Sequence, residues 1–284
     1  MKAEIAAAIE LACGARPVKT RPLAGGCIAE IYRVDLADGA RVVAKLAGPG
    51  ESLDLEAYML RYLAAHSRLP VPAVLHEEAG LLVMEFVETS GGLGAPAQRH
   101  AAEILAELHD ITAPDFGLER DTLIGSLAQP NGRCDSWLEF FRERRLLYMA
   151  RLALEAGRIT TTLMARIETF AGRCDRWLAE PASPSLIHGD MWGGNVLVRD
   201  GRIAAFVDPA IYYADAEIEL AFSTLFATFG DDFFARYGEI RPLAPGFFEE
   251  RRDIYNLYPL LVHARLFGGG YAGSVENILA RFGC

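Results

Sequence analysis

No apolar run in this chain approaches the ~20 consecutive residues that a helix needs to cross a bilayer. The first residues, Met1 to Glu10, are acidic and amphipathic rather than patterned as a secretory signal, so the expected location is cytoplasmic. Cysteine is scarce. The five, Cys13, Cys27, Cys134, Cys174 and Cys284, are odd in number and scattered, which argues against a disulfide framework or a structural zinc site. Histidine is scarce too: with six in all and no second metal-like cluster, a two-metal hydrolase site around His188, Asp190, Asn195 and Asp208 would lack ligands. Basic residues number 28 against 38 acidic ones, and the formal net charge of −10 opposes binding to nucleic acid or to anionic membranes. Internal repeats and low-complexity segments are also missing. What is present is a globular composition, 51% hydrophobic and 23% charged over 284 residues, long enough for a large core and for two lobes sharing a cleft.

The richest stretch runs from Leu186 through His188-Gly-Asp190-Met-Trp192-Gly-Gly-Asn195 to Val198, followed by Ala205-Phe-Val-Asp208-Pro209. Val196–Val198 and Ile203–Val207 are apolar runs separated by a turn containing Asp200-Gly201, a short hairpin signal. Asn195 and Asp208 then meet at the open end of that hairpin. One amide oxygen and one carboxylate suffice for Mg²⁺, which takes its remaining ligands from phosphates and water. Asp190 falls in the loop just ahead, placed to accept a proton from a hydroxyl. Taken singly, His-Gly-Asp reads as a turn and Asp208 as a strand-end cap. At this joint spacing they point to phosphoryl transfer from Mg²⁺·ATP.

The upstream residues supply the other parts. Val18–Leu23 and Ile28–Leu36 read as strands around Ala24-Gly25-Gly26-Cys27, where backbone N–H groups of a glycine turn can face phosphate. Cys27, in that turn and near Lys45, is the cysteine expected to be most open to oxidation. Asp38-Gly39 leads into the strand Arg41–Leu46, whose Lys45 falls where the third strand of a kinase small lobe carries its phosphate-binding lysine. On the following helix Leu55, Met59 and Leu63 mark an apolar face, and Glu56 on the neighbouring stripe is the natural counter-ion of Lys45. Leu81–Glu88 reads as a strand running into the glycine linker near Gly92. The main chain of Glu85, Phe86 and Val87 is expected to meet adenine, with Met84 behind it. This divides the chain into a nucleotide-binding lobe, 1–88, with a hinge at its end, and a catalytic and substrate-binding lobe, 89–284.

The lower lobe reads as mainly helical. Ser136 and Glu139 suggest a capping box opening a helix through Leu147, and Leu163, Ile167, Phe170, Cys174 and Trp177 line one face of another. These aromatic stripes are core. Tyr258, His263 and Tyr271 lie near loops that border the expected cleft, and Trp192, inside the catalytic loop, is placed to stack on an acceptor.

The segments His188–Asn195, Asp208–Ala221 and Leu266–Tyr271 together resemble the fructosamine kinase (ketosamine-3-kinase) family, over nearly the whole chain from Gly25 onward. The resemblance implies an α+β, protein-kinase-like two-lobed fold of the aminoglycoside phosphotransferase type, with a small antiparallel sheet lobe and a larger, mainly helical lobe. It implies Asp190 as proton acceptor, Asn195 and Asp208 as metal ligands, and ATP-dependent phosphorylation of a sugar hydroxyl on a ketosamine or a glycated lysine. Two positions depart from the pattern: Ala216, where arginine is frequent, and Glu219, where aspartate is. An acceptor carrying a cationic amine would also suit carboxylates beyond the base, and Asp215, Glu217 and Glu219 are the candidates, each also readable as an acid serving the dipole of a helix start. An aminoglycoside or choline-like alcohol is the alternative acceptor, and a silent nucleotide-binding pseudokinase the remaining one.

Overall fold

Alternation of apolar and polar residues upstream of Glu85 resolves into one antiparallel sheet. The computed structural model describes residues 3–23, 30–48, 52–78 and 80–284. Strands β1 (Pro17–Pro22), β2 (Glu30–Leu36), β3 (Arg41–Leu46), β4 (Val74–Glu78) and β5 (Leu81–Glu85) pair in the order β1-β2-β3-β5-β4. Asp38-Gly39 closes the β2–β3 hairpin, where the Leu36 N–H donates to Ala40 O at 2.8 Å. Successive β3 side chains alternate between faces. Val42 and Ala44 pack with Val34, Leu36 and Ile9 of helix α1 (Ala3–Cys13). Val43 and Lys45 face helix α2 (Asp54–His66), where Ala57 and Leu60 pack against Leu82 and Met84.

The strand expected to reach Glu88 ends at Glu85. Phe86 there turns under two guanidinium groups, Arg33 at 5.1 Å and Arg41 at 5.5 Å from its ring centre. The linker then docks on the lower lobe, Ser90 N–H donating to Val198 O at 2.9 Å.

Helix α3 (Ala95–His109), with a proline in its first turn, opens the second lobe. Three two-stranded ribbons follow: β6 (Thr122–Ile124) with β7 (Leu127–Gln129), β8 (Ser185–Ile187) with β11 (Tyr212–Ala214), and β9 (Val196–Arg199) with β10 (Arg202–Phe206). Helices α4 (Trp137–Phe140) and α5 (Tyr148–Glu155) flank a π-helical stretch, Phe141–Leu147. Helices α6 (Thr161–Ala171), α7 (Glu217–Leu225), α8 (Asp231–Ile240), α9 (Arg252–Phe267) and α10 (Tyr271–Arg281) complete the lobe. Trp137, Phe140, Phe141 and Tyr255 are fully buried at its centre, and the Trp137 indole N–H donates to Tyr255 Oη at 2.9 Å.

Two helix expectations change in detail. Ser136 Oγ does accept the Glu139 N–H at 3.2 Å, but the other free N–H groups of α4 go to Glu180, whose carboxylate takes those of Trp137 and Leu138 at 2.6 and 3.2 Å. Helix α6 stops at Ala171, and Cys174 starts a separate 3₁₀ turn. Phe170 and Trp177 still stack, 5.5 Å apart, because the turn folds the chain back onto the same core.

Candidate functional site

The β9–β10 hairpin brings its two ends together as its turn sequence predicts: Val207 N–H donates to Asn195 O at 3.0 Å, one residue ahead of Asp208. Asp208 adopts a left-handed backbone, φ 52°, a conformation aspartate tolerates better than most side chains. The loop before the hairpin depends on Gly189. Its φ is 86°, and a Cβ there would lie 2.1 Å from Ala210 O, so only glycine fits. Next to it, the Asn195 side-chain amide donates to both Asp190 O and Asp190 Oδ2 at 2.9 Å. Two acceptors on the nitrogen fix the orientation of that amide, and the Asn195 oxygen is left for another partner.

Burial pushes the Asp190 carboxyl up to about 7 against the Asn195 hydrogen bond, with Asp208 and Glu219 adding to the rise. Lys45 reaches the same place from β3, with Nζ 2.7 Å from Glu56 Oε2 and 3.0 Å from Asp208 Oδ1. Burial alone would lower the lysine pKa, but the two carboxylates overcome it and hold the ammonium above the usual lysine range. Glu56, equally buried, is pushed up to about 7 despite the lysine charge. Its Oε1 is buried without a hydrogen-bond partner. The expected Lys45–Glu56 pair is therefore formed, and it joins sheet, α2 and hairpin.

Asp190, Asn195, Asp208, Lys45 and Glu56 all line one cleft of about 930 Å³. Trp192 and His263, expected near an acceptor, line it as well. The indole lies against Gly194, where an added Cβ would come within 2.3 Å of the ring. Asp215, Glu217 and Glu219 do not line the cleft, contrary to the expectation. Asp215 accepts from Tyr255 Oη at 2.6 Å and from the Glu217 N–H at 3.0 Å, capping α7. Glu217 is held by the Arg251 guanidinium at 2.5 and 2.8 Å. The two acids thus fasten the start of α7 to α9 through Tyr255 and to the residue just before α9, Arg251. Ala216 is buried at this helix start, where Arg251 supplies the nearby guanidinium from elsewhere in the chain. Tyr258 is buried too, donating to Gln129 Oε1 at 2.7 Å. Of the expected adenine contacts, Met84 packs under α2, and the Glu85 N–H is taken by Ala73 O at 2.9 Å. Phe86 and Val87 follow in the linker. Gly25, Gly26 and Cys27 lie outside the described residues.

Glu219 has a part that its helical position did not reveal. It is fully buried, accepts the Gly189 N–H at 2.7 Å through Oε1, and meets His109 Nε2 at 2.8 Å through Oε2. His109 Nδ1 lies 2.7 Å from Tyr237 Oη. This chain of hydrogen bonds braces the His188–Gly189 peptide, one residue ahead of Asp190, from α3, α7 and α8. His109 comes from 110 residues away and carries no local signal. The β6–β7 ribbon was likewise unmarked, yet Leu123, Ile124 and Ser126 border the cleft.

Among the described residues no group of three or more His, Cys, Asp or Glu is gathered to hold a metal. The donors here, one amide oxygen and the remaining carboxylate oxygen of Asp208, suit a hard cation that draws further ligands from phosphate and water.

A five-stranded antiparallel sheet with a Lys–Glu pair, joined by a linker to a helical lobe that carries Asp190, Asn195 and Asp208, defines a protein-kinase-like fold of the aminoglycoside phosphotransferase type. An ADP-bound aminoglycoside phosphotransferase shares that fold, with TM-score 0.67 over 98% of this chain and 97% of the other at 15% identity. The chain belongs to the fructosamine kinase family, whose model matches residues 1–282. It is 34% identical over 269 residues to the probable ketoamine kinase of Enterococcus faecium, covering 93% of this chain and 95% of that one. It is also 34% identical over 275 residues to the chloroplastic protein-ribulosamine 3-kinase of Arabidopsis thaliana, covering 92% and 81%. A solved structure of the fructosamine-3-kinase type from Thermobifida fusca superposes with TM-score 0.86 at 30% identity, covering 97% and 96%. No helix among the described residues is long and apolar enough to cross a membrane.

Proposed function

We propose that this protein transfers the γ-phosphoryl group of ATP to the hydroxyl on the third carbon of a ketosamine, such as a ribulosamine or fructosamine formed on lysine. The observation that carries the reading is Lys45 clasped by Glu56 and Asp208 on the cleft that also holds the Asp190–Asn195 pair. Family membership and the named relatives, ketoamine and ribulosamine kinases, support the acceptor class.

In this reading residues 1–88 bind nucleotide and 89–284 carry the chemistry. Lys45 binds nucleotide phosphate and Glu56 orients it. Asn195 Oδ1 and Asp208 would hold Mg²⁺, which when bound neutralises charge on the phosphate oxygens. Asp190 has Oδ2 committed to Asn195, so Oδ1 receives the proton of the acceptor hydroxyl. Trp192 and His263 form part of the acceptor wall. The physiological consequence would be removal of ketosamine adducts in the cytoplasm.

The test is ³¹P and ¹³C NMR of the product formed from ATP, Mg²⁺ and ribulosamine-lysine. A phosphate on the third sugar carbon is expected. A phosphate on any other carbon, or none, would contradict the proposal.

A further inference from the structure

Beyond Asp190 the cleft changes character. Everything that α7, α9 and the first residue of α10 contribute to its wall is uncharged, whereas its charged groups come from β3, α2 and the loops around the β9–β10 hairpin. His263 stands at the centre of an aromatic group, its ring 4.8 Å from Phe226, 5.1 Å from Tyr271 and 5.5 Å from Phe267. His263 Nδ1 lies 2.7 Å from Pro259 O. A carbonyl can only accept, so Nδ1 carries the proton and the ring presents Nε2 as the acceptor. Phe226 and Phe267 are 38% and 48% exposed and Trp192 is 37% exposed, so large apolar faces stand open to water on a concave wall. Exposed aromatic surface gathered on one cleft in this way marks a binding site.

We propose that this compartment receives the amine substituent of the ketosamine and selects an uncharged aryl or alkyl group there. The inference rests on the ketosamine reading above. With the third-carbon hydroxyl at Asp190, such an acceptor extends in two directions: a hydroxyl-bearing sugar tail, and the group carried on nitrogen. A polyol tail needs hydrogen-bonding partners, which this wall lacks apart from His263 and the Tyr271 hydroxyl. The nitrogen substituent is the end that can be apolar. Nucleotide is not the proposed occupant, since in the reading above its phosphates lie at Lys45 on β3, whereas this wall is built from α7, α9 and the start of α10. A carboxylate on the substituent would lose water without meeting a cation, at a cost that disfavours it. An aromatic ring in the same place would stack on, or meet edge-on, Phe226, Phe267 and Trp192.

The test compares kcat/KM for ribulose adducts of methylamine, benzylamine and 4-(aminomethyl)benzoate. The benzylamine adduct should exceed each of the other two by roughly tenfold, the order expected when a ring packs on an aromatic wall and when a carboxylate is desolvated there. In the Phe226→Ser/Phe267→Ser variant the benzyl-to-methyl ratio should fall toward one, and in Phe226→Leu it should fall only in part. Both side chains are partly exposed, so thermal melting should show the variants folded. Equal kcat/KM for all three adducts, or an unchanged ratio in the double variant, overturns the compartment assignment while leaving the ketosamine reading in place. Turnover of none of the adducts overturns both.

Discussion

Asp190 and Asp208 sit on the same cleft but are held differently, and their substitutions should part company. Asp190 is tied to Asn195, whereas Asp208 is tied to Lys45. Asp190→Asn removes the proposed proton acceptor while leaving the proposed phosphate-binding groups in place, so turnover should fall by about 10² or more with nucleotide affinity nearly kept. Asp208→Asn should weaken Mg·ATP binding as well, which calorimetry of the two variants would resolve. Unchanged turnover in Asp190→Asn would contradict the assigned base. Asp215 offers a test of a different kind, because burial, with Glu217 adding, pushes its carboxyl up to about 6. A carboxyl raised on folding holds a proton that the unfolded chain releases, so it withdraws stability as pH rises from about 4 to about 6. The full penalty, on the order of 2 to 3 kcal/mol, applies above that window and vanishes below it. Asp215→Asn keeps an oxygen to cap α7 and removes the charge, so its Tm relative to the parent should rise across the window. A pH-independent difference would contradict burial as the cause.

Helix α2 shows how one element couples the two lobes. Its residues 54, 58 and 62, spaced four apart and so on one face, all touch the lower lobe. Asp54 pairs with Arg120 at 2.6 Å, Tyr58 Oη donates to Glu119 at 2.6 Å, and Tyr62 Oη lies 3.2 Å from Tyr213 Oη. The Arg120 guanidinium also stands over the Tyr58 ring at 5.0 Å. The helix that carries Glu56 is thus fastened to the lobe that carries Asp190, and the position of Lys45 follows from both. Glu119→Ala combined with Arg120→Ala should lower kcat by about tenfold with little change in acceptor KM. The loss in stability should stay near ~1 kcal/mol, since these are exposed pairs. Retention of full kcat would show that the sheet alone positions Glu56. Elements of this kind also mark what the sequence could disclose. Asp-Gly turns fixed two hairpins over a few residues, and strand alternation plus helical spacing placed Lys45 opposite Glu56. Asp215 and Glu217 read equally well as acids at a helix start, but their partners Tyr255 and Arg251 lie 40 and 34 residues further on. The His109–Glu219 brace spans 110 residues, and no local period announces it.

At the scale of the whole molecule, the two lobes meet at a cleft whose charged lining is four carboxylates and one lysine, and the chain carries a formal net charge of −10. Such a field favours approach of a cationic amine and disfavours anionic acceptors. The fold by itself does not select the acceptor: an aminoglycoside phosphotransferase shares it at 15% identity. Selection must come from the cleft wall, where Trp192, His263 and the apolar faces of α7 and α9 replace the carboxylates expected there. Polycationic aminoglycosides would find few anionic partners on that wall, and choline lacks the sugar hydroxyl altogether. Ketosamine phosphorylation is therefore tested most directly by kcat/KM with ATP and Mg²⁺ for ribulosamine-lysine, fructosamine-lysine, kanamycin and choline side by side. At least one ketosamine should exceed both alcohols by about 10² or more, a gap of the size that a matched polar site produces against a mismatched acceptor. Turnover of kanamycin or choline above every ketosamine would contradict it.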